Sequence, residues 1–180
     1  SLPGQERPKE LVDLSLAELP ERAAALASFD CIILNDVDTS TLSAGQVSAL
    51  QTWVSSGGRL VLGGGAGALR TAAGLPEPML PLVPRRIVEV DELAGLATFA
   101  RADAVRVPGP FVVADGDAAD GRVLASQATA SGAADSSLAL VREKTWGTGS
   151  VDFVALDLAT TPFDAWVGTT DFWERLLSPG

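Results

Sequence analysis

The apolar positions fall into short runs separated by polar and glycine-rich breaks, and the clearest series extends from Phe29 to Arg70. Cys31 to Leu34 is an apolar run closing in the polar cluster Asn35, Asp36 and Asp38, which predicts a buried strand. Ser40 or Ser43 can cap the helix that follows, because a short side-chain oxygen accepts from an unpaired backbone N–H. Val47, Leu50, Trp53 and Val54 recur at helical spacing and give one apolar face. Gly57-Gly58 stops that helix through the left-handed conformation. Leu60-Val61-Leu62 reads as a second buried strand. Two apolar strands joined through an amphipathic helix make a βαβ unit with a right-handed crossover. The glycine turn Gly63 to Gly67 then opens a helix over 66–73, which Gly74-Leu75-Pro76 ends.

The flanking pattern is weaker. Residues 1–10 are polar and predict a frayed end. Leu11 to Leu16 alternates apolar and polar residues, as a short strand does. Leu19 to Leu26 predicts a short helix with Pro20 in its first turn, where a missing N–H costs nothing. Pro76 to Pro84 contains four prolines in nine residues and predicts an extended, irregular crossing. Strands are expected over Arg86–Val90, Val105–Val107 and Phe111–Ala114, with a capped short helix over Asp91–Ala100. From Asp115 to Gly149 the composition shifts to Ala, Gly, Asp and Ser. Within it Arg122–Gln127 and Ser137–Glu143 read as strands. Thr145 to Gly149 reads as a tight turn into a strong strand, Val151–Leu158, with Val151, Phe153 and Ala155 inward and Asp152 alternating with them. Asp171–Leu177 closes the chain as a helix with Phe172, Trp173, Leu176 and Leu177 on its apolar face. The expectation is one α/β domain over 1–180, with a small β-rich addition at about 115–158 packed at its edge. No internal repeat or heptad is visible.

Composition narrows the chemistry. At 180 residues the chain is long enough to bury a core. Asp and Glu outnumber Lys and Arg by 23 to 13, a net charge of −10. With no basic stripe to neutralise phosphates, a nucleic-acid partner is excluded, and docking on anionic lipid is disfavoured. There is no His and no Tyr, and there is one Cys. An intrachain disulfide, a Cys/His zinc site and any Ser-His-Asp or Cys-His mechanism are therefore impossible within these residues. No apolar run is long enough to span a membrane, and none reads as a signal peptide. The abrupt start at Ser1 and the ending Ser178-Pro179-Gly180 read as a domain excised from a longer chain, although a short natural protein has the same look.

The stretch LSAGQVSALQTWVSSGGRLVLGGG, with an aspartate before its first buried strand, resembles the class I glutamine-amidotransferase-like superfamily. More narrowly, it is similar to the amidotransferase-like domains in extracytoplasmic parts of bacterial membrane-anchored proteins. The ending WGTGSVDFVALDLATTPFDAWVGTTDFWERLL resembles the same group, in which a glycine-hairpin strand ends in an aspartate and leads to a terminal helix. Together these segments cover about half of the chain. The resemblance implies a flavodoxin-like three-layer fold with a mostly parallel sheet. It also implies a G-x-C-x-G elbow carrying a cysteine nucleophile. Here the matching segment is Gly63-Gly64-Gly65-Ala66-Gly67, so the nucleophile position is Gly65, and the partner histidine has no counterpart. Cys31 is no substitute, because it starts a strand and precedes no elbow. The expectation is a retained fold without amidotransferase activity: a binding module for an unknown protein or small molecule, with no cofactor.

Each candidate site has a plainer reading. Gly64, Gly65, Ala66 and Gly67 can present N–H groups to an anion; glycines also simply let a strand turn tightly against its neighbours, and no Lys-Ser/Thr follows to make a P-loop. Asn35, Asp36 and Asp38 lie beyond a strand end, where ligands bind in open α/β sheets, and paired carboxylates can hold Mg²⁺ or Ca²⁺. The same residue types cap turns. Asp157, at the end of the last strong strand, completes an acidic mouth or caps the next segment. With a divalent metal, Asp36, Asp38 and Asp157 make the alternative function a divergent hydrolase. Trp53 and Trp173 are expected in the core. Trp146 and Trp166 are expected in loops, partly exposed, where aromatics stack on sugars, anchor partners or fold down as lids.

Overall fold

The structure is a computed structural model and describes residues 11–129 and 137–178; the expected frayed stretch 1–10 lies outside these. In chain order the elements are α1 (Ala23–Leu26), β1 (Cys31–Leu34), α2 (Ala44–Ser55), β2 (Arg59–Gly63), α3 (Ala68–Ala72) and β3 (Leu82–Val90). There follow α4 (Ala94–Ala100), β4 (Phe111–Ala118), β5 (Arg122–Ala128), β6 (Ser137–Trp146), β7 (Gly149–Val154) and α5 (Thr169–Leu177). The architecture is α/β. One sheet has the order β1-β2-β7-β6-β5, and β3 pairs with β4 in a second. β1, β2 and β7 run parallel, whereas β6 is antiparallel to both of its neighbours.

α2 shows how locally the framework is encoded. Ser43 accepts from the Gln46 N–H at 3.1 Å, and Gln46 Oε1 accepts from the Ser43 N–H at 2.9 Å, a reciprocal cap. At the other end Gly58 N–H donates to the Trp53 carbonyl and Gly57 N–H to that of Val54, with Gly57 at φ +117°. This is the Schellman pattern, which satisfies carbonyls the helix leaves open. Leu50, Trp53 and Val54 are buried beneath it.

The middle of the sheet is covered on both faces. Leu60, Val61 and Leu62 of β2 and Val151 to Val154 of β7 are all buried, although successive side chains point to opposite faces. β1 departs from expectation here. It is an edge strand rather than a buried one, and Ile33 is 39% exposed.

The largest correction concerns 115–158. Its strands are no addition at the edge: β5, β6 and β7 form three of the five strands of the main sheet, with β7 at its centre. Close backbone approach sets that placement. A Cβ on Gly149 would lie 2.1 Å from the Val54 carbonyl oxygen and 2.2 Å from that of Gly58, and Ser150 N–H bonds the Gly58 carbonyl at 3.2 Å. The antiparallel β3–β4 arm is instead the separate piece. It is tied back by the buried Arg142, which donates to the Pro81 carbonyl at 3.0 Å and that of Ala119 at 2.9 Å.

Smaller differences have local causes. Leu11 to Ser15 forms no strand and leaves Leu11, Val12 and Leu14 exposed. A 3-10 turn, Leu16–Glu18, follows instead, and the Gln46 amide holds the Leu16 and Leu19 carbonyls at 2.9 and 2.8 Å. The helix expected over 19–26 is reduced to α1, with Pro20 ahead of it. α4 begins after the buried Leu93, without the expected side-chain cap. Residues 105–107 pair with no strand among the described residues. β3 starts inside the proline-rich crossing at Leu82, and its register shifts beside Pro84, where a residue without an N–H is tolerated. β7 stops at Val154 rather than reaching Leu158.

Replacing Gln46 by Ala should cost about 2 kcal/mol, because it removes a cap, leaves the Leu19 carbonyl unpaired and takes one of two donors from the Leu16 carbonyl. Urea unfolding measures this, and a change below about 0.5 kcal/mol would contradict the strapping role.

Candidate functional site

Most of the candidate residues from the sequence converge where β1, β2 and β7 end. Asn35 follows β1 directly, and its Nδ2 donates to Asp157 Oδ1 at 2.9 Å. Asn35 Oδ1 accepts from the Leu158 N–H, also at 2.9 Å, and Asp157 Oδ1 accepts from Ala159 N–H at 2.9 Å. The two side chains thus clasp the chain leaving β1 to the chain leaving β7. Asp157 does not end that strand; it lies three residues past Val154, where the chain has already bent.

The glycine turn fits beneath this clasp. Gly64 N–H donates to the Leu156 carbonyl and Gly65 N–H to that of Ala155, both at 2.9 Å. Those two donors are therefore spent on the protein rather than available to an anion. Gly65 opens a 3-10 turn, Gly65–Gly67, that leads into α3, and it has φ +65°. A Cβ there would lie 2.9 Å from the Asp157 nitrogen and 3.0 Å from its Cβ. A Cβ on Gly63 would meet Asn35 Oδ1 at 2.0 Å, and one on Gly67 would meet Asp36 Oδ1 at 2.2 Å.

The acidic residues do not form a common mouth. Asp36 takes the left-handed conformation at φ +51°, which Asp tolerates, and its carboxylate pairs with Arg70 on α3. Asp38 turns to the backbone N–H and hydroxyl of Ser40 as the cap of the 3-10 turn Thr39–Thr41. Among the described residues, no group of three or more His, Cys, Asp or Glu is placed to hold a metal ion. Asp36, Ala66, Leu69 and Arg70 are exposed at this corner. Two hollows lie elsewhere. One of about 710 Å³ is bordered by Arg86, Val90, Asp115 and Gln127, and another of about 530 Å³ by Ala27, Phe29 and Trp53.

Of the tryptophans, Trp166 is buried rather than partly exposed, and its indole N–H donates to the Asp103 carbonyl at 2.9 Å. Trp146 ends β6 and is half-buried. Trp53 is in the core, and the half-buried Trp173 stands edge-on to Phe172 with ring centres 5.5 Å apart.

Sequence reasoning missed Asp152. Alternation placed it opposite the buried residues of its strand, yet it is fully buried. Both its carboxylate oxygens lack a hydrogen-bond partner among the described residues. Arg59 Nε stands 3.7 Å away, and Glu143 is directly opposite on β6. Glu143 pairs with Arg122 at 2.8 Å. Burial pushes the Asp152 carboxyl up from its ordinary 3.8 to about 7; Arg59 opposes the shift and Glu143 adds to it. Burial, followed by the charge of Asp152, pushes the Cys31 thiol up to about 11, which leaves it protonated and unreactive near neutral pH. The signal that identifies Asp152 is an acidic residue inside a glycine-led apolar run that turns out to be the central strand.

No protein-family model matches the chain, and no curated protein matches it in sequence. Its fold is similar to that of solved structures. The cytoplasmic protein STM3548 from Salmonella typhimurium is 16% identical, over 90% of this chain and 76% of that one, with a TM-score of 0.66. The cytoplasmic protein STM1381 from Salmonella typhimurium LT2 is 20% identical, over 89% and 75%, with a TM-score of 0.65. A beta-galactosidase from Rahnella sp. R3 is 18% identical over 84% of this chain but only 22% of its own, with a TM-score of 0.50. At these identities the likeness is one of fold. Among the described residues no helix is long and apolar enough to cross a membrane.

Asp152 makes stability depend on pH with a definite sign. Its carboxyl titrates higher folded than unfolded, so its contribution is complete below about pH 4 and is lost as pH rises through about 7. Over that window stability should fall by up to about 1.4 kcal/mol per pH unit. Asp152→Asn should flatten the dependence, as measured by urea unfolding across pH; an unchanged slope would show that the carboxyl is not the source. Mg²⁺, Ca²⁺ and Mn²⁺ should leave the melting temperature unchanged, and a rise abolished by Asp36→Asn would instead establish a carboxylate metal site.

Proposed function

We propose that this chain is a non-catalytic binding module built on a flavodoxin-like, amidotransferase-like scaffold. In this reading it is one part of a larger membrane-anchored protein and faces the extracytoplasmic side. The observation that carries the reading is Gly65. It stands at the strand-to-helix corner where the resembling family mounts its nucleophile, at φ +65° and against Asp157. A side chain there meets the Asp157 backbone, and the chain contains no His to activate one.

The same corner favours a protein partner over a small anion. The N–H groups of Gly64 and Gly65 are engaged, while Asp36, Ala66, Leu69 and Arg70 form an exposed rim of mixed charge and apolar surface. Such a rim matches the make-up of protein contacts better than that of an enclosed ligand pocket. The modular reading gains support from the beta-galactosidase, in which a similar fold occupies 22% of a longer chain. Two proteins of similar fold are cytoplasmic proteins by name, so the fold itself fixes no side of a membrane, and the extracytoplasmic placement rests on the resemblance of the central and terminal segments.

Purified protein incubated with glutamine should release no ammonia above the buffer control. Release that scales with protein concentration would overturn the non-catalytic reading. The full-length gene product should carry a membrane-spanning segment outside these residues; a product without one would overturn the membrane-anchored part and leave the module intact.

A further inference from the structure

On one face of the main sheet the strand register places Cys31 on β1 opposite Arg59 on β2, and Asp152 on β7 opposite Glu143 on β6, which in turn faces Arg122 on β5; Arg59 itself is opposite Ser150, two residues before Asp152 on β7. Arg122 and Glu143 satisfy each other, with Arg122 Nε and Nη2 both on Glu143 Oε1 at 2.9 and 2.8 Å. Arg59 has no such dedicated partner. Its Nη1 donates to the carbonyl of Leu176 in the last turn of α5. Its Nε stands 3.7 Å from Asp152, beyond hydrogen-bonding distance, and its Nη2 is 4.0 Å from Glu143. The Asp152 carboxylate, fully buried, has no hydrogen bond to any of the described residues. One guanidinium thus stands between a helix carbonyl that it holds and a buried carboxyl that lacks a donor.

We propose that Arg59 is a pH-operated latch on α5: while Asp152 is protonated the guanidinium holds the Leu176 carbonyl, and when Asp152 gives up its proton to solvent the guanidinium turns to the carboxylate and releases the last turn of the helix. The movement needed is on the order of 1 Å, from the present separation to that of a charge-assisted hydrogen bond. An arginine near a helix C-terminus is favourably placed for the exposed carbonyls and the negative end of the dipole, so losing it loosens that end specifically. Linkage sets the direction. Opening the helix end hydrates Asp152 and eases its ionisation, so rising pH favours the released state. The groups that face Asp152 are Arg59, Glu143 and Arg122, with Cys31 and Asp30 acting through the neighbouring thiol. The charges on α5 itself, Asp171, Glu174 and Arg175, are exposed.

Amide exchange of the last turn of α5, corrected for the intrinsic rate at each pH, tests this at about pH 5.5 and about pH 8.5, on either side of the carboxyl midpoint. Protection should fall roughly ten-fold at the higher pH, the scale of one charge-assisted hydrogen bond. In Asp152→Asn it should be equal and high at both, and in Arg59→Gln equal and low. A fall that persists in Asp152→Asn, or no fall in the unaltered protein, would overturn the latch. Where Asp152→Asn does not fold, the carboxyl carbon shift of Asp152 in the unaltered protein should titrate with the same midpoint as the exchange of α5; separate midpoints would overturn it as well.

Discussion

The clasp between Asn35 and Asp157 is the contact on which the strand-end corner depends. It joins side chains 122 positions apart at 2.9 Å. Each of the two is also bonded to backbone, Asn35 to Leu158 and Asp157 to Ala159, so the exits of β1 and β7 are held in one arrangement. The glycines of the 63–67 turn are the counterpart of that clasp. They let the exit of β2 pass beneath it at distances where a Cβ would collide with Asn35, Asp36 or Asp157. A corner this tight is a structural joint, and it has no room for a reactive side chain at Gly65. What stays exposed is its outer rim, with Asp36, Ala66, Leu69 and Arg70.

The opposite requirement operates on the row that contains Asp152. Strand-end polar groups find partners easily, because loop amides lie close by and water completes the rest. Asp152 sits in the middle of a central strand, where every backbone donor is taken by the ladder and both faces are covered. Its charge meets Glu143 directly across β6, and like charges opposite each other destabilise a sheet. Arg59 and, behind Glu143, Arg122 oppose that, but Arg122 is paired to Glu143 and Arg59 is engaged by α5. A buried, under-satisfied carboxyl is costly, and here it stands beside the arginine that attaches the last helix.

Parts of this were legible from residue order. The Ser40–Ser43 stretch and Gly57-Gly58 bound α2, because caps are satisfied by neighbours three to five positions away; that Ser43 rather than Ser40 caps it, with Gln46 reciprocating, came from the structure. The convergence of Asn35, Asp36, the glycine turn and Asp157 was also foreseeable, since all lie just past strands. What each residue does there was open until the hydrogen bonds were placed. Asp36 goes to Arg70 and Asp38 to Ser40, which disperses the carboxylates a metal site would need. Asp152 was misplaced for a different reason: alternation locates a face, but it cannot tell whether that face is covered.

The order of residues by itself determined the α/β class, the helix between the first two parallel strands with its caps, the glycine turn, and the absence of any histidine chemistry. Those features depend on neighbours within a turn or two, or on composition. Only the tertiary structure decided that Cys31–Leu34 lies at an edge, that 149–154 inserts at the centre between β2 and β6, and that Asp152 is buried as a result. Strand order is set by contacts between segments some ninety residues apart, such as Gly149 against Val54 and Gly58, and no local pattern carries that information.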